Sequence, residues 1–500
     1  MTRDTTGTIA AEPLAVPRFA QAYQTCPMCR ADEVQYEFVV DRVAISRCRA
    51  CALQFANPVQ ARTPAAPADA RTQAAYGAML TFATRYLGRA PHGVLIVDGG
   101  CAPADANART VRAEALADAA RYDLVVAFDV LERDPDPLAL ARRLRGLVAE
   151  GGALVVAAPS LDSRAARKAR VAWAELRSKA AWWLSPDTLQ LLLTRAGFGA
   201  FATVADAQDA GRAADPAVRA FFDSHVAVVA RPVEREAVHR LSVVVPVYNE
   251  AATCGELIDR VLAKQIPGVE IEAVIVESNS TDGSREIVKR YESHPRVRLL
   301  LEDRPRGKGS AVRRGFVEAG GEVILIQDAD LEYDVNDYDV LVEPLFALRR
   351  TFVLGSRHGA TGEGWKIRRF DSMPLIGTVM NVAHLALLTL FNTLYEQRLF
   401  DPFTMFKVFR ADCLHGLFFE CNRFDFDYEI TCKLLRRGCH VIEIPVNYRS
   451  RSYAAGKKTR FFADPPQWVR AMLRLRHVPL YRFAAEPLPA DATRGPKTLA

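Results

Sequence analysis

Four things are scarce or missing in these 500 residues, and each absence narrows the field. Ten cysteines in 500 residues are too few for a disulfide scaffold, and four of them fall in two close pairs, so a reducing, cytosolic compartment is expected. The net charge is only +6 and a quarter of the residues are charged, as in ordinary globular proteins, so no nucleic-acid partner is expected. No period of 20–50 residues recurs, which excludes a solenoid or propeller. The first residues carry Arg3, Asp4 and Glu12 without an apolar run, so no secretory leader is expected.

Half of the residues are apolar, enough for about three cores at ~100–200 residues per domain. An Ala/Pro/Arg-rich stretch at 58–72 reads as a linker, and a polar stretch near 231–240 reads as a second boundary. The domains expected are 1–57, 73–232 and 240–485, with a disordered tail after about Glu486.

Cys26 and Cys29, then eighteen residues, then Cys48 and Cys51 form two C-x-x-C knuckles. That spacing lets four thiolates converge on one structural zinc ion with no open coordination position. The segment resembles the small zinc-binding module that precedes class I methyltransferase domains.

Residues 94–230 resemble such a methyltransferase, through Tyr122–Glu132, Asp134–Pro137, Glu150–Pro159, and Leu184 through Phe198. The cofactor end departs from that pattern. The first turn reads Asp98-Gly-Gly-Cys-Ala-Pro-Ala104, with Pro103 and alanines in place of later glycines. Positions 101–128 are too short for the usual βαβα passage, since one crossover alone takes at least about a dozen residues. Arg133 stands where the family often has His. An active methyltransferase and a degenerate domain kept for packing or acceptor recognition are both readings of this segment. The missing segment favours the second, without S-adenosylmethionine.

After Leu241, β-rich runs (242–247, 273–277, 297–301, 323–327, 352–355) alternate with helix-like stretches (253–264, 284–293, 310–319, 337–348). This implies a mostly parallel α/β sheet with its ligands at the strand carboxyl ends. Val244–Glu250, Leu301–Ser310 and Val323–Asp330 lie in the order found in family 2 glycosyltransferases. They resemble most closely the group that makes polyprenyl-phosphate sugars, represented by dolichyl-phosphate mannosyltransferase. The fold class expected is α/β: a Rossmann-like GT-A glycosyltransferase domain preceded by a truncated Rossmann-like methyltransferase domain and a small zinc ribbon.

The chemistry accounts for the residue types. A nucleoside diphosphate leaving group is dense in negative charge, and a hard divalent ion, Mg²⁺ or Mn²⁺, with oxygen ligands neutralises it. Asp328 and Asp330, flanking Ala329 at a strand end, are the carboxylates placed for that ion. The resemblance assigns Pro246, Tyr248, Glu250, Glu277, Asp282, Lys308 and Ala329 to the nucleotide-sugar donor. Lys308, just before a helix, can meet a phosphate together with the helix N-terminus. Glu277-Ser-Asn-Ser-Thr-Asp-Gly283 departs from the family's usual paired aspartates at Ser278, so the nucleotide stays open.

Arg357, Arg368, Ser372, Arg451 and Lys457 match positions that surround a lipid phosphate in relatives, a task suited to the guanidinium fork. Asp401, in Asp401–Arg410, is the candidate base if the acceptor is a hydroxyl; a phosphate acceptor needs none. Phe424–Ile430 resembles another acidic segment near the active site.

Met373–Tyr395 has no formal charge over 23 residues, yet Asn381, His384 and Asn392 interrupt it and it lies between groups that should share a site. An amphipathic helix at the membrane surface is expected instead, helped by a segment from Arg449 to Arg482 with nine Lys/Arg against one acid. These features point to an inverting hexosyltransferase acting on a polyprenyl phosphate, peripheral on the cytosolic face of the membrane. The rivals are transfer to a glycan or small-molecule hydroxyl, a bifunctional glycosyltransferase/methyltransferase, and an inactive scaffold. Sugar, nucleotide and oligomeric state are not legible.

Overall fold

The computed structural model describes residues 23–482 apart from 42, 59–67, 99–103, 106, 117–119, 178–179, 236–237, 359–373 and 451–463. Gly100, Pro103, Arg368, Ser372, Arg451, Lys457 and the tail therefore lie outside the described residues, as does most of the linker.

The N-terminal strands β1 (Val34–Val40), β2 (Val43–Cys48) and β3 (Gln54–Ala56) form an antiparallel meander. Next come α1 (Ala70–Leu87), β4 (Val94–Asp98), β5 (Ala108–Arg112), β6 (Tyr122–Phe128), α2 (Pro137–Leu147) and β7 (Val148–Pro159). They are followed by α3 (Arg164–Ala169), β8 (Trp182–Trp183), α4 (Pro186–Arg195), β9 (Phe198–Val204), α5 (Pro216–Phe222) and β10 (His225–Pro232). Local chemistry sets several starts. The side chains of Asp136, Ser185 and Asp215 cap α2, α4 and α5, each with proline in the first turn.

The middle sheet runs β5-β4-β6-β7-β10-β9, with β10 antiparallel to both neighbours. Between β4 and β6 the described residues contain β5 and one turn of 3-10 helix (Ala113–Ala115) but no α-helix, in keeping with the shortened passage expected there. The N-terminal sheet is not closed on itself: β8, from the middle of the chain, pairs with β3 and completes a four-stranded sheet.

The C-terminal part contains β11 (His239–Val247), α6 (Cys254–Ala263), β12 (Val269–Glu277), α7 (Ser284–Lys289), β13 (Val297–Leu301), α8 (Lys308–Glu318) and β14 (Val323–Ile326). Beyond these lie α9 (Tyr338–Phe346), β15 (Phe352–Ser356), α10 (Pro374–Tyr395), β16 (Lys407–Arg410), α11 (Phe426–Arg436), β17 (Val441–Pro445) and α12 (Asp464–Leu475). The seven strands order as β13-β12-β11-β14-β16-β15-β17, all parallel except β16. Apart from Val269 at the start of β12, the valines and isoleucines of β11, β12 and β14 are buried, as expected of parallel strands covered on both faces. The carboxyl ends of β11, β12, β14 and β15 consequently share one edge.

One apolar core runs without interruption from α1 and β9 of the middle domain into α6, α9 and α11 of the C-terminal domain. A second joins the N-terminal strands to the opposite face of the middle sheet. Among the described residues no helix is long and apolar enough to cross a membrane.

Candidate functional site

The four N-terminal thiols converge. Cys26 and Cys51 Sγ lie 3.6 Å apart, as do Cys29 and Cys48 Sγ, and all four lie within 4.8 Å of one another. Four sulfurs at about 2.3 Å from a tetrahedral zinc ion would sit roughly 3.8 Å apart, so the cluster has the size to hold that ion.

At the shared edge of the C-terminal sheet, three loops interlock. Asn249, at φ 52°, accepts from the Thr281 amide, and its own amide donates to Ser280 Oγ at 2.9 Å. The Glu250 amide donates to Ser284 Oγ at 2.8 Å. Asp282 accepts from the Ala251 and Ser284 amides; burial pushes its carboxyl up, but these bonds and the Ser284 hydroxyl hold it below the usual range. Thr253 Oγ1 donates to the Ala329 carbonyl at 2.7 Å and ties the first loop to the Asp-Ala-Asp turn. Pro246 and Glu250 are half-buried, and Tyr248 is exposed at the rim.

Two of the residues assigned to the donor are tied into the protein itself. Glu277 is wholly buried, with one oxygen accepting from the Ser280 amide at 2.6 Å and the other 2.7 Å from Arg285 Nε. Its carboxylate shapes the loop through these two contacts. Ala329 is 2% exposed and its carbonyl is taken by Thr253, so the residue supports the turn between the two aspartates.

Asp328 and Asp330 leave β14 at its carboxyl end, and Asp330 Oδ1 accepts from the Glu332 amide at 3.2 Å. Lys308 begins α8 itself, two residues earlier than the sequence suggested, because Gly307 at φ 99° turns the chain into the helix. A Cβ at Gly307 would overlap the Asn422 carbonyl oxygen, so the loop before α11 fixes this turn. Lys308 Nζ lies 2.7 and 2.9 Å from the two oxygens of Asp328. Burial works against the lysine's charge, but Asp328, Asp427 and Asp330 outweigh it and raise its pKa. The carboxylate set fits a hard divalent ion, and Lys308 balances its charge in the free chain.

Two further charges deepen this site, half-buried Asp427 and buried Lys407. Asp427 Oδ1 is buried without a hydrogen bond, and burial raises its carboxyl despite Lys308 and Lys407 nearby. Lys407 is fully buried and donates to the Thr404 carbonyl; burial lowers it to about 8 although Asp427 opposes the shift. Both belong to segments singled out by resemblance, but no spacing in the sequence marks either residue.

Arg357 follows β15, on the same edge as Asp328. Its Nε and Nη2 donate to Asp401 at 2.8 and 2.7 Å, and its amide donates to the same carboxylate at 2.9 Å. Asp401 is 0% exposed; burial alone would raise its carboxyl, but Arg357 holds it down to about 2. Glu443 accepts from the Phe400 and Asp401 amides and fixes the loop behind it. Asp401 as an open base is therefore corrected: both its oxygens are committed, and it positions Arg357. Tyr448 lies 5.5 Å beneath the Arg357 guanidinium, and its hydroxyl donates to Glu332 at 2.7 Å. His358 and His384 stand beside this pair, with a ring nitrogen of each within 4.8 Å of Asp401 and of one another.

Two sequence-family models match the chain. The sequence model of Glycosyl transferase family 2 matches residues 242–414, and that of a Methyltransferase domain matches residues 25–201. A dolichol-phosphate mannosyltransferase from Pyrococcus furiosus is 28% identical over 243 residues, 47% of this chain and 63% of that protein. A dolichyl-phosphate beta-glucosyltransferase from Trichomonas vaginalis is 28% identical over 218 residues, 41% of this chain and 62% of that one. An undecaprenyl-phosphate 4-deoxy-4-formamido-L-arabinose transferase from Edwardsiella ictaluri is 28% identical over 220 residues, 43% and 62% of the two chains. The chain thus spans a little over three fifths of the length of these relatives.

Proposed function

Starting from a family 2 glycosyltransferase domain at residues 242–414, we propose that this chain moves a hexose from a nucleotide sugar to a polyprenyl phosphate, with inversion. The observation that carries the reading is Arg357, held by buried Asp401 on the same sheet edge as Asp328 and Asp330. A fixed guanidinium beside the carboxylate pair suits an acceptor that brings its own phosphate. The three relatives named above all carry dolichyl or undecaprenyl phosphate in their names. Asp328 and Asp330 would hold Mg²⁺ or Mn²⁺, which when bound neutralises the diphosphate leaving group. Pro246, Tyr248, Glu250 and Lys308 line the donor side, with Asp282, Glu277 and Ala329 shaping the loops around it. Arg368, Ser372, Arg451 and Lys457 complete the acceptor side on sequence grounds. The Cys₄ cluster holds structural zinc, and the middle domain binds no S-adenosylmethionine.

The protein works at the cytosolic face of a membrane in this reading. Val379, Val382 and Leu385 are about half exposed along one stripe of α10, with Phe400 at 67% and Leu473 of neighbouring α12 at 48%. Arg470 and Arg476 are exposed beside them on and after α12. Apolar side chains among basic ones suit an anionic lipid surface.

One observation favours a hydroxyl acceptor as the second reading: Asp427 offers a buried carboxyl with a raised pKa near Lys308 and Asp328, which suits a general base. One experiment separates the readings. Purified chain with Mn²⁺ and a donor panel should glycosylate a prenyl phosphate, and Asp330→Asn should lower turnover by roughly 10²–10³-fold with the fold intact. Near-normal turnover in Asp330→Asn removes the metal assignment. Faster transfer to water-soluble hydroxyl acceptors than to prenyl phosphates replaces the first reading by the second.

A further inference from the structure

Away from the sheet edge that carries Asp328, a cavity of about 320 Å³ opens where the N-terminal strands meet the C-terminal domain. Gln35, Glu37, Arg47, Arg49, Ala52 and Arg350 line it. Among the described residues, none assigned to donor or acceptor lines it: Arg350 lies just before the amino end of β15, whereas Arg357 follows the carboxyl end.

The polar groups of this cleft are unevenly matched. Three guanidiniums face one carboxylate. Glu37 is shared, with Gln54 Nε2 donating to it at 2.6 Å and Arg47 Nη1 standing 3.5 Å away. Arg49 Nε donates to the neutral Gln35 amide oxygen at 2.7 Å. Arg350 is 9% exposed; it donates to the Arg49 carbonyl at 2.8 Å and the Arg349 carbonyl at 3.1 Å, while its Nε is buried without a hydrogen bond. The nearby Asp187 carboxylate accepts from the Thr351 hydroxyl through Oδ1, and its Oδ2 is buried without a hydrogen bond. A buried guanidinium with an unused Nε donor lowers its energy when an oxyanion arrives.

We propose that this cleft is an anion site for a phosphorylated small molecule, whose phosphate sits among Arg47, Arg49 and Arg350. The charge fits: three positive groups against one negative leave room for a dianion, which a phosphate monoester supplies near neutral pH. The size fits as well. The volume is at the low end of small-molecule sites, roughly 300–1,000 Å³, and leaves space beside a phosphate for a sugar or nucleoside. The site joins two parts of the chain, because Arg47 and Arg49 flank the zinc-type Cys48 whereas Arg350 belongs to the C-terminal domain. Its occupant would bridge them.

Hydrogen exchange on the zinc-loaded full chain, without added Mg²⁺ or Mn²⁺, tests this, with glucose 1-phosphate, uridine monophosphate, glucose, uridine and citrate as probes at equal ionic strength. The two phosphorylated probes should protect peptides covering 43–54 and 347–352, and glucose and uridine should not. Arg49→Gln and, separately, Arg47→Gln should weaken that protection by at least about tenfold, the loss expected for a charge-assisted contact. Both side chains are solvent-accessible, so the variants should fold. Absence of protection at these peptides, protection unchanged in both variants, or equal protection by citrate would each overturn the proposal.

Discussion

Replacing Asp401 by Asn tests the buried pair at the heart of the acceptor side. Asp401 has no exposed surface and takes three donations from Arg357, so the variant leaves a guanidinium buried against a neutral amide. Removing one partner of such a pair costs about 3–5 kcal/mol, more than most single substitutions. An independent figure comes from titration. Arg357 holds the carboxyl at about 2 against an ordinary 3.8, and that difference is worth about 2.4 kcal/mol at neutral pH. Since the folded pKa lies below the unfolded one, this stabilisation is present above about pH 4 and is lost as pH falls toward 2. Urea unfolding at pH 7 should therefore show a loss of a few kcal/mol in Asp401→Asn, and the wild-type decline between pH 4 and 2 should flatten in the variant. Replacing both partners, as Arg357→Met with Asp401→Leu, should recover part of the stability but not the activity. Asp401→Asn should also raise the KM for a prenyl phosphate far more than the KM for the nucleotide sugar, because in the proposed reading the group it positions faces the acceptor. A variant within 1 kcal/mol of wild type, or one that alters only donor KM, would refute the pairing argument.

Two further predictions concern the middle domain. Glu132 is wholly buried, and burial together with neighbouring Asp129 pushes its carboxyl to about 8 although Arg133 opposes this. The folded state then binds the extra proton, so wild-type stability should fall as pH rises from about 4.5 to 8, and Glu132→Gln should flatten that decline by about 1–3 kcal/mol. Parallel unfolding profiles of the two proteins at pH 5 and 8 would remove the claim. Calorimetry on the full chain should detect no S-adenosylmethionine binding, and a micromolar Kd would show that the shortened β4–β6 passage still makes a cofactor site.

The sequence was most readable where structure is local or strongly patterned. Buried parallel strands are largely continuous apolar runs, so β11, β12 and β14 stand out from composition alone. The paired cysteines announce their cluster by spacing, and the Asp-Ala-Asp turn by the strand before it. Long-range pairings carry no such signal. Arg357 and Asp401 are 44 residues apart and were assigned separate tasks, yet they form one unit. Glu277 keeps the family's acidic character but sits under Arg285, a partner that no pattern in the sequence marks. Trp182 and Trp183 lie in the middle domain by sequence and close the N-terminal sheet in space, since two residues are too few to show strand periodicity. Lys407 sits in a strand otherwise apolar or basic, and only burial reveals its perturbed state.

The middle domain's geometry suggests why a cofactor end could erode while the domain persists. The shortened passage lies at the β5 edge of the sheet, and β9 forms the opposite edge. It is at β9 and α4 that the C-terminal domain docks. Arg437, fully buried, donates to Gln190 Oε1 at 2.6 Å on α4 and to the Phe201 carbonyl at 3.0 Å on β9. The Tyr481 hydroxyl both accepts from the Thr203 amide and donates to its carbonyl, each at 2.8 Å. Asp187 on α4 accepts from the Thr351 hydroxyl immediately before β15. Removing the domain would strip Arg437 of its Gln190 and Phe201 partners and expose an apolar core continuous with α6, α9 and α11. Loss of glycines and of a helix at the β5 edge disturbs none of these contacts. Selection for a stable C-terminal domain is thus enough to retain α4 and β9, whether or not the far edge still serves a reaction.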